Sequence, residues 1–174
     1  MSFEAATPSV DGKRIFAVGD QDRGELVRYD SKTRQFTADL SGISASAVSF
    51  SPNGRWVAYS TYPENILWRS RTDDSEKLQL TYKPLRAFGS NWSPDGTQIL
   101  FAAEEAGQNA RLYSVPVEGG APRMISASEH DLIFPKWTPD GKSIVFEETS
   151  HYTTFIKLLD LKTKQVSTLP GSEI

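Results

Sequence analysis

The chain contains no cysteine. Disulfide frameworks and thiolate metal sites are therefore excluded, and the compartment stays open, because a cysteine-free chain suits oxidising and reducing spaces alike. Histidine is nearly as scarce, with only His130 and His151. A zinc site needs three or four ligands at characteristic spacing. Two histidines would leave Asp or Glu to complete it, and both read as exposed loop residues, so no metal and no cofactor is expected. Long apolar runs are missing too. Nothing approaches the roughly 18 residues of a membrane span, so no membrane insertion is expected. The opening MSFEAATPSVDG lacks the basic and apolar regions of a signal peptide. Positive charge is not in excess: the formal net charge is −3, with Lys and Arg spread along the chain. No basic stripe is available to neutralise phosphates, and nucleic acid is not an expected partner.

Catalytic signatures are also absent. There is no G-x-S-x-G elbow, no phosphate loop and no G-x-G-x-x-G. Glu104, Glu105, Glu129, Asp131, Glu147 and Glu148 gather acidic charge. Paired carboxylates can serve glycoside hydrolysis or bind calcium. No EF-hand-like loop accompanies these, so they read as a solvated acidic rim and the chain reads as non-catalytic. No stretch of ten or more residues carries a period of 3.6, so no helix is expected.

What the chain has is repetition. PSVDGKRIFAV, SFSPNGRWVAYS, NWSPDGTQILFAA and KWTPDGKSIVFEE align on Asp11, Asn53, Asp95 and Asp140, at intervals of 42, 42 and 45 residues. Glycine follows each time, as Gly12, Gly54, Gly96 and Gly141. Asp-Gly and Asn-Gly favour tight hairpin turns with positive φ at both central residues, and Asp95 and Asp140 are expected to cap their turns through side-chain hydrogen bonds, so these eight residues are assigned structural turn roles. A β-prone run follows each turn, at Ile15 to Val18, Val57 to Tyr59, Ile99 to Phe101 and Ile144 to Phe146. Such continuous apolar runs suit strands covered on both faces. Tyr59, Phe101 and Phe146 are expected between sheets. Phe50, Trp92 and Trp137 precede the turns, where the first copy has Pro8; proline cannot donate to a ladder, so that strand is expected to be irregular or at an edge.

A third strand is expected at Leu26 to Tyr29, Ile66 to Arg69, Leu112 to Val115 and Ile156 to Leu159, and a fourth at Phe36 to Leu40, Leu78 to Thr81, Pro122 to Ser126 and Val166 to Leu169. Four strands in each repeat of about 40–45 residues is the arithmetic of a β-propeller blade. The fold class is therefore all-β, a propeller of four-stranded antiparallel blades at about 1–42, 43–84, 85–128 and 129–174, forming a single domain or fragment.

WSPDG followed by an apolar strand, and RLYSVPVEGGAPRMIS after it, resemble the WD40-like repeats of TolB-type β-propellers. The third and fourth copies match most closely; the second has Asn53 and the first has Val10 where the others have proline. The resemblance implies a bacterial protein in a periplasmic or other extracytoplasmic setting and a non-catalytic binding or scaffold role for a protein or peptide. It also implies two settings for such a propeller: the sensory part of a winged-helix regulator or kinase, or the accessory domain of a prolyl-oligopeptidase-like hydrolase. A third reading, from the repeat itself, is a self-assembling propeller fragment with no ligand. Rings of this family are usually larger than four blades. The chain therefore reads as part of a longer ring, and a homodimer would close eight blades.

Propeller partners dock on loops that link strands two and three and that link successive blades. These loops are GDQDRG, TYPEN, EEAGQN and ETSHYT, with KPLRAF and SEHDLIF between blades. They offer Tyr62, Arg86, Phe88, His130, Asp131, His151 and Tyr152 as candidate partner-binding residues. Aromatic and arginine side chains are the usual hot-spot types, and loops on a rigid scaffold concentrate function.

Overall fold

The computed structural model describes residues 2–20, 23–150 and 153–172. Among them are sixteen strands and one short 3₁₀ turn, Leu40–Gly42. Blade 2 comprises β5 (Ala45–Phe50), β6 (Trp56–Thr61), β7 (Leu67–Arg71) and β8 (Leu78–Gln79). Blade 3 comprises β9 (Arg86–Trp92), β10 (Gln98–Glu104), β11 (Arg111–Pro116) and β12 (Arg123–Ser126). Blade 4 comprises β13 (Asp131–Trp137), β14 (Ser143–Thr149), β15 (Thr154–Asp160) and β16 (Val166–Thr168). Each is a four-stranded antiparallel sheet in sequence order.

Blade 1 departs from the expected four-stranded sheet. Its strands β1 (Ser2–Pro8) and β2 (Ile15–Asp20) form one pair, while β3 (Val27–Asp30) and β4 (Gln35–Ala38) form another. The register of β1 slips between Phe3 and Ala5, and Pro8 ends it. Ile15 and Phe16 stay 77% and 56% exposed, so the apolar run of β2 is not covered on both faces. A two-stranded hairpin without a packed face gains little from its neighbours.

Three apolar clusters fill the three junctions between blades. Leu40, Ala45, Val57 and Tyr59, with Leu26 and Ile43, join blades 1 and 2. Ala58, Leu67, Leu80, Trp92, Ile99, Phe101 and Val115 join blades 2 and 3. Leu100, Ala102, Leu112, Leu132, Ile144, Phe146 and Leu159 join blades 3 and 4. The alternation along β10 explains the division: Ile99 and Phe101 point to blade 2, Leu100 and Ala102 to blade 4, and all four are fully buried. The inner strands β5, β9 and β13 lie side by side. The Trp92 indole N–H donates to the Ser49 carbonyl at 3.1 Å, and the Trp137 amide donates to Asn91 Oδ1 at 3.0 Å. Phe50, in the position of Trp92, is exposed because blade 1 presents no equivalent face.

The repeated turn is built differently from the expected hairpin. Only glycine takes positive φ, at 68° for Gly12, 67° for Gly54, 72° for Gly96 and 69° for Gly141; Asp11, Asn53, Asp95 and Asp140 do not. The side-chain capping expected of Asp95 and Asp140 is present in all four copies: the carboxylate or amide oxygen accepts from the backbone N–H two places on, at 3.1 Å for Lys13, 3.0 Å for Arg55, 3.0 Å for Thr97 and 3.0 Å for Lys142. A hydroxyl two places before, from Ser9, Ser51, Ser93 or Thr138, donates to the same oxygen. It also accepts from the strand that follows. These are side-chain-capped turns.

The hydroxyl, and then the amide, hold the Asp11, Asp95 and Asp140 carboxyls below their ordinary range. Their contribution is present at neutral pH and is lost as pH falls through the lowered native values. Asn53 fills the same role without titrating. The double variant Asp95→Asn, Asp140→Asn is therefore expected to keep the fold and to unfold less steeply on acidification. Denaturant titrations from neutral to acidic pH measure this, and an unchanged acid limb would contradict it.

Candidate functional site

Five of the seven loop residues singled out by sequence are described; His151 and Tyr152 lie outside the described residues. The β6–β7 loop and the linker from blade 2 to blade 3 enclose a recess of about 550 Å³ lined by Pro63, Glu64, Lys83, Pro84 and Arg86. Tyr62 is half-buried at its edge, and its N–H donates to the Ser44 carbonyl at 3.0 Å. Arg86 is exposed, with Nη1 3.1 Å from Glu104 Oε1 across the β9–β10 pair. An exposed ion pair of this kind adds about 0–1 kcal/mol, so the guanidinium is easily released to a partner. Phe88 is not an exposed loop aromatic. It sits within β9, half-buried against the cluster between blades 3 and 4, because the strand begins earlier than the linker pattern suggested.

A second recess, about 160 Å³, lies between blades 3 and 4 and is lined by Asn109, Glu129, His130, Asp131, Thr149 and Ser150. Asp131 Oδ1 accepts the Ala110 N–H at 2.7 Å, and the Asn109 amide donates to the Glu129 carbonyl. His130 is exposed, its N–H directed to Ser128 Oγ at 3.2 Å. Behind them the Ser128 hydroxyl donates to Glu148 Oε1 at 2.5 Å, and Lys157 Nζ lies 3.0 Å from Glu148 Oε2. Burial pushes the Glu148 carboxyl up, but the Ser128 and Lys157 hydrogen bonds and the Lys157 charge outweigh it and hold the carboxyl below its ordinary range. Glu148 is thus a paired carboxylate, the wrong state for a general acid. Among the described residues no group of three or more His, Asp or Glu is placed to hold a metal ion.

At the opposite end of the strands lies a residue that sequence reading passed over. Arg69, in the middle of β7, has a side chain only 9% exposed. Its guanidinium carbon lies 4.1 Å from the Trp56 ring centroid, and Nε donates to the Val117 carbonyl at 2.5 Å. The first copy also has arginine at this position, Arg28, where the third and fourth have Ser114 and Leu158, so no sequence signal separates Arg69; its burial does.

Sheets of four antiparallel strands, stacked face to face with their inner strands adjacent, define a β-propeller. The profile of the TolB beta propeller domain matches residues 7–174, and the chain belongs to that family. It is 30% identical over 112 residues to the uncharacterized peptidase YuxL of Bacillus subtilis (strain 168), covering 59% of this chain and 17% of that protein. It is 28% identical over 99 residues to the uncharacterized protein Atu1656 of Agrobacterium fabrum, covering 56% of this chain and 33% of that one. The chain thus matches about a third or less of the length of these two curated relatives. Among solved structures, TolB from Acinetobacter baumannii superposes with a TM-score of 0.67 at 19% identity, covering 96% of this chain and 43% of that one. An oligogalacturonate lyase in complex with manganese superposes with a TM-score of 0.64 at 17% identity, covering 82% of this chain and 41% of that one. At these identities the structures share the fold alone.

Proposed function

We propose that the chain is a non-catalytic binding or scaffold module for a protein or peptide, docking at the loop end of blades 2 to 4. The observation that carries this reading is the recess between blades 3 and 4. Its rim is tied by the Asp131–Ala110 and Asn109–Glu129 hydrogen bonds, while His130 and the Glu129 side chain remain exposed. A pre-formed cleft loses little freedom on binding. Tyr62 and the loosely held Arg86 add hot-spot chemistry on the neighbouring junction. The name of YuxL supports a setting beside a peptidase domain, in which this propeller would admit or present substrates. The TolB likeness supports an extracytoplasmic setting, where the sensory part of a bacterial regulator would also work. The test is selection of a peptide library on the immobilised chain, followed by the double variant Arg86→Ala, His130→Ala. Selected peptides should lose about tenfold or more in affinity for that variant, as loss of hot-spot residues implies. Peptides that bind it as well as the parent would refute the loop end as the docking surface.

Exposed apolar residues favour a second reading, self-association. Ile15, Phe16, Val27 and Phe36 of blade 1 and Val166 of blade 4 face solvent, and exposed large apolar residues gathered on the outer blades favour an interaction surface there. In a homodimer each blade 1 would meet a partner's blade 4, completing a larger propeller. Light scattering at several concentrations should then give twice the 19.3 kDa chain mass; a single chain mass throughout would dismiss it.

A further inference from the structure

We infer that the junction of blades 2 and 3, at the turn end of the strands, is a binding site for a carboxylate group, received by Arg69. The site lies at the opposite end of the strands from the loop recesses and does not depend on them. A cavity of about 140 Å³ opens between the two sheets, lined by Trp56, Arg69, Trp92, Asp95 and Glu118 among others.

An arginine carries five N–H donors in a fixed plane. In Arg69, Nε is used by the Val117 carbonyl, and one Nη2 hydrogen reaches Glu118 Oε2 at 3.2 Å. Nη1 is buried and has no hydrogen-bond partner among the described residues. Leaving a buried charged donor unsatisfied is costly, whereas β7 could have carried an apolar residue at no such cost. Trp56 fixes the guanidinium from one side, and Arg71 lies over the same ring at 4.9 Å. The end of the guanidinium formed by Nη1 and the second Nη2 hydrogen has the fork geometry that receives a carboxylate with two parallel bonds. Nη1 has virtually no accessible surface with the rim closed, so a ligand reaches it only when a rim side chain moves.

The surroundings narrow the ligand. Asp95 and Glu118 already place negative charge on the rim, which disfavours a doubly charged anion such as phosphate. The two indole walls suit a carbon-bearing group. Asp95 is held in its turn by Ser93 and Thr97, which bond its Oδ1. Glu118 holds the neighbouring Nη2 hydrogen, so it competes by its charge and by covering the fork. Its side chain is 81% exposed, so it can swing away and admit another carboxylate. The carboxylate can come from a free small acid or from a peptide C-terminus.

The test follows Arg69 side-chain N–H signals by NMR. The probes are acetate and a tri-alanine peptide with either a free or an amidated C-terminus, with chloride as the ionic-strength control. Acetate should shift the Arg69 signals saturably. Glu118→Gln should bind it about threefold more tightly, the scale of losing one exposed competing ion pair. Arg69→Gln should weaken binding about tenfold or more, as loss of a charge-assisted pair implies. A free peptide that binds more tightly than acetate, with the amide silent, identifies a peptide C-terminus. A peptide no tighter than acetate identifies a free acid. Should Arg69→Gln fail to fold, Glu118→Gln decides alone, since that side chain lies at the surface. Shifts that chloride reproduces, or an affinity unchanged by Glu118→Gln, would overturn the inference.

Discussion

Replacing Phe101 by alanine should destabilise the chain by about 3–5 kcal/mol, the range for deleting a buried aromatic. Phe101 is fully buried in the cluster between blades 2 and 3 and stacks on Tyr113, its cross-strand partner, with centroids 5.8 Å apart. Its cavity cannot collapse readily, because Leu67, Leu80 and Val115 around it are held by three different strands or linkers. For a chain of this size the melting temperature should fall by roughly 6–20 °C. Phe16→Ala supplies the contrast. Phe16 occupies the repeat position of buried Leu100 yet is 56% exposed, so its loss should stay within about 0.5 kcal/mol. Parallel thermal melts check both. Equal losses would mean that blade 1 packs as tightly as blade 3, contrary to the structure.

Gly24→Ala should undock blade 1. A Cβ on Gly24 would stand 2.4 Å from the Ala45 carbonyl oxygen, closer than any contact a rotamer change could relieve. The strand end must then move, and with it the Ala45 N–H to Gly24 carbonyl bond of 3.1 Å and the Gly24 N–H to Ser44 Oγ bond of 3.2 Å. Leu26 and Leu40, which cap the Val57–Tyr59 cluster, would follow. Overpacking of this kind costs about 1–3 kcal/mol. Because the strain is local, amide hydrogen exchange should accelerate in β3, β4 and β5 and stay slow in blades 3 and 4. Uniform acceleration, or none, would contradict the assignment of Gly24 as the clasp between blades 1 and 2.

The strand order of three blades was legible because the capped turn is a local device: proline, Asp or Asn, and glycine fix its shape wherever they occur together. The partner hydroxyl was equally legible at Ser9, Ser51, Ser93 and Thr138, but went unread because serine and threonine are common. The inner strands β5, β9 and β13 each carry a register shift, between Ser46 and Ser49, opposite Leu100 to Ala102, and between Ile133 and Lys136, and this bulge was not legible. It recurs with positive φ at Ala47, Gly89 and Phe134, and only one of these is the residue that such a backbone favours. Neighbouring inner strands impose it, as the Ser90 hydroxyl donating to the Ala47 carbonyl at 3.0 Å illustrates. Blade 1 misled for the converse reason. Its pattern is right for a four-stranded sheet, but strand pairing draws its strength from packing that the pattern alone cannot supply. At the candidate sites, Arg86, His130 and Asp131 were placed at the loop end by the repeat, whereas Arg69 is defined by what surrounds it and not by its spacing.

Among the described residues each apolar cluster joins one blade to the next, and none spans three blades. Such a chain is a row of coupled units whose stability is a sum of blade and nearest-neighbour terms. Blades 2 and 3 are flanked on both sides and blades 1 and 4 on one, so protection against opening should rise from the ends toward the centre. A ligand clamped across the junction of blades 2 and 3 would therefore tighten the two most protected units and leave the outer pair free to exchange neighbours.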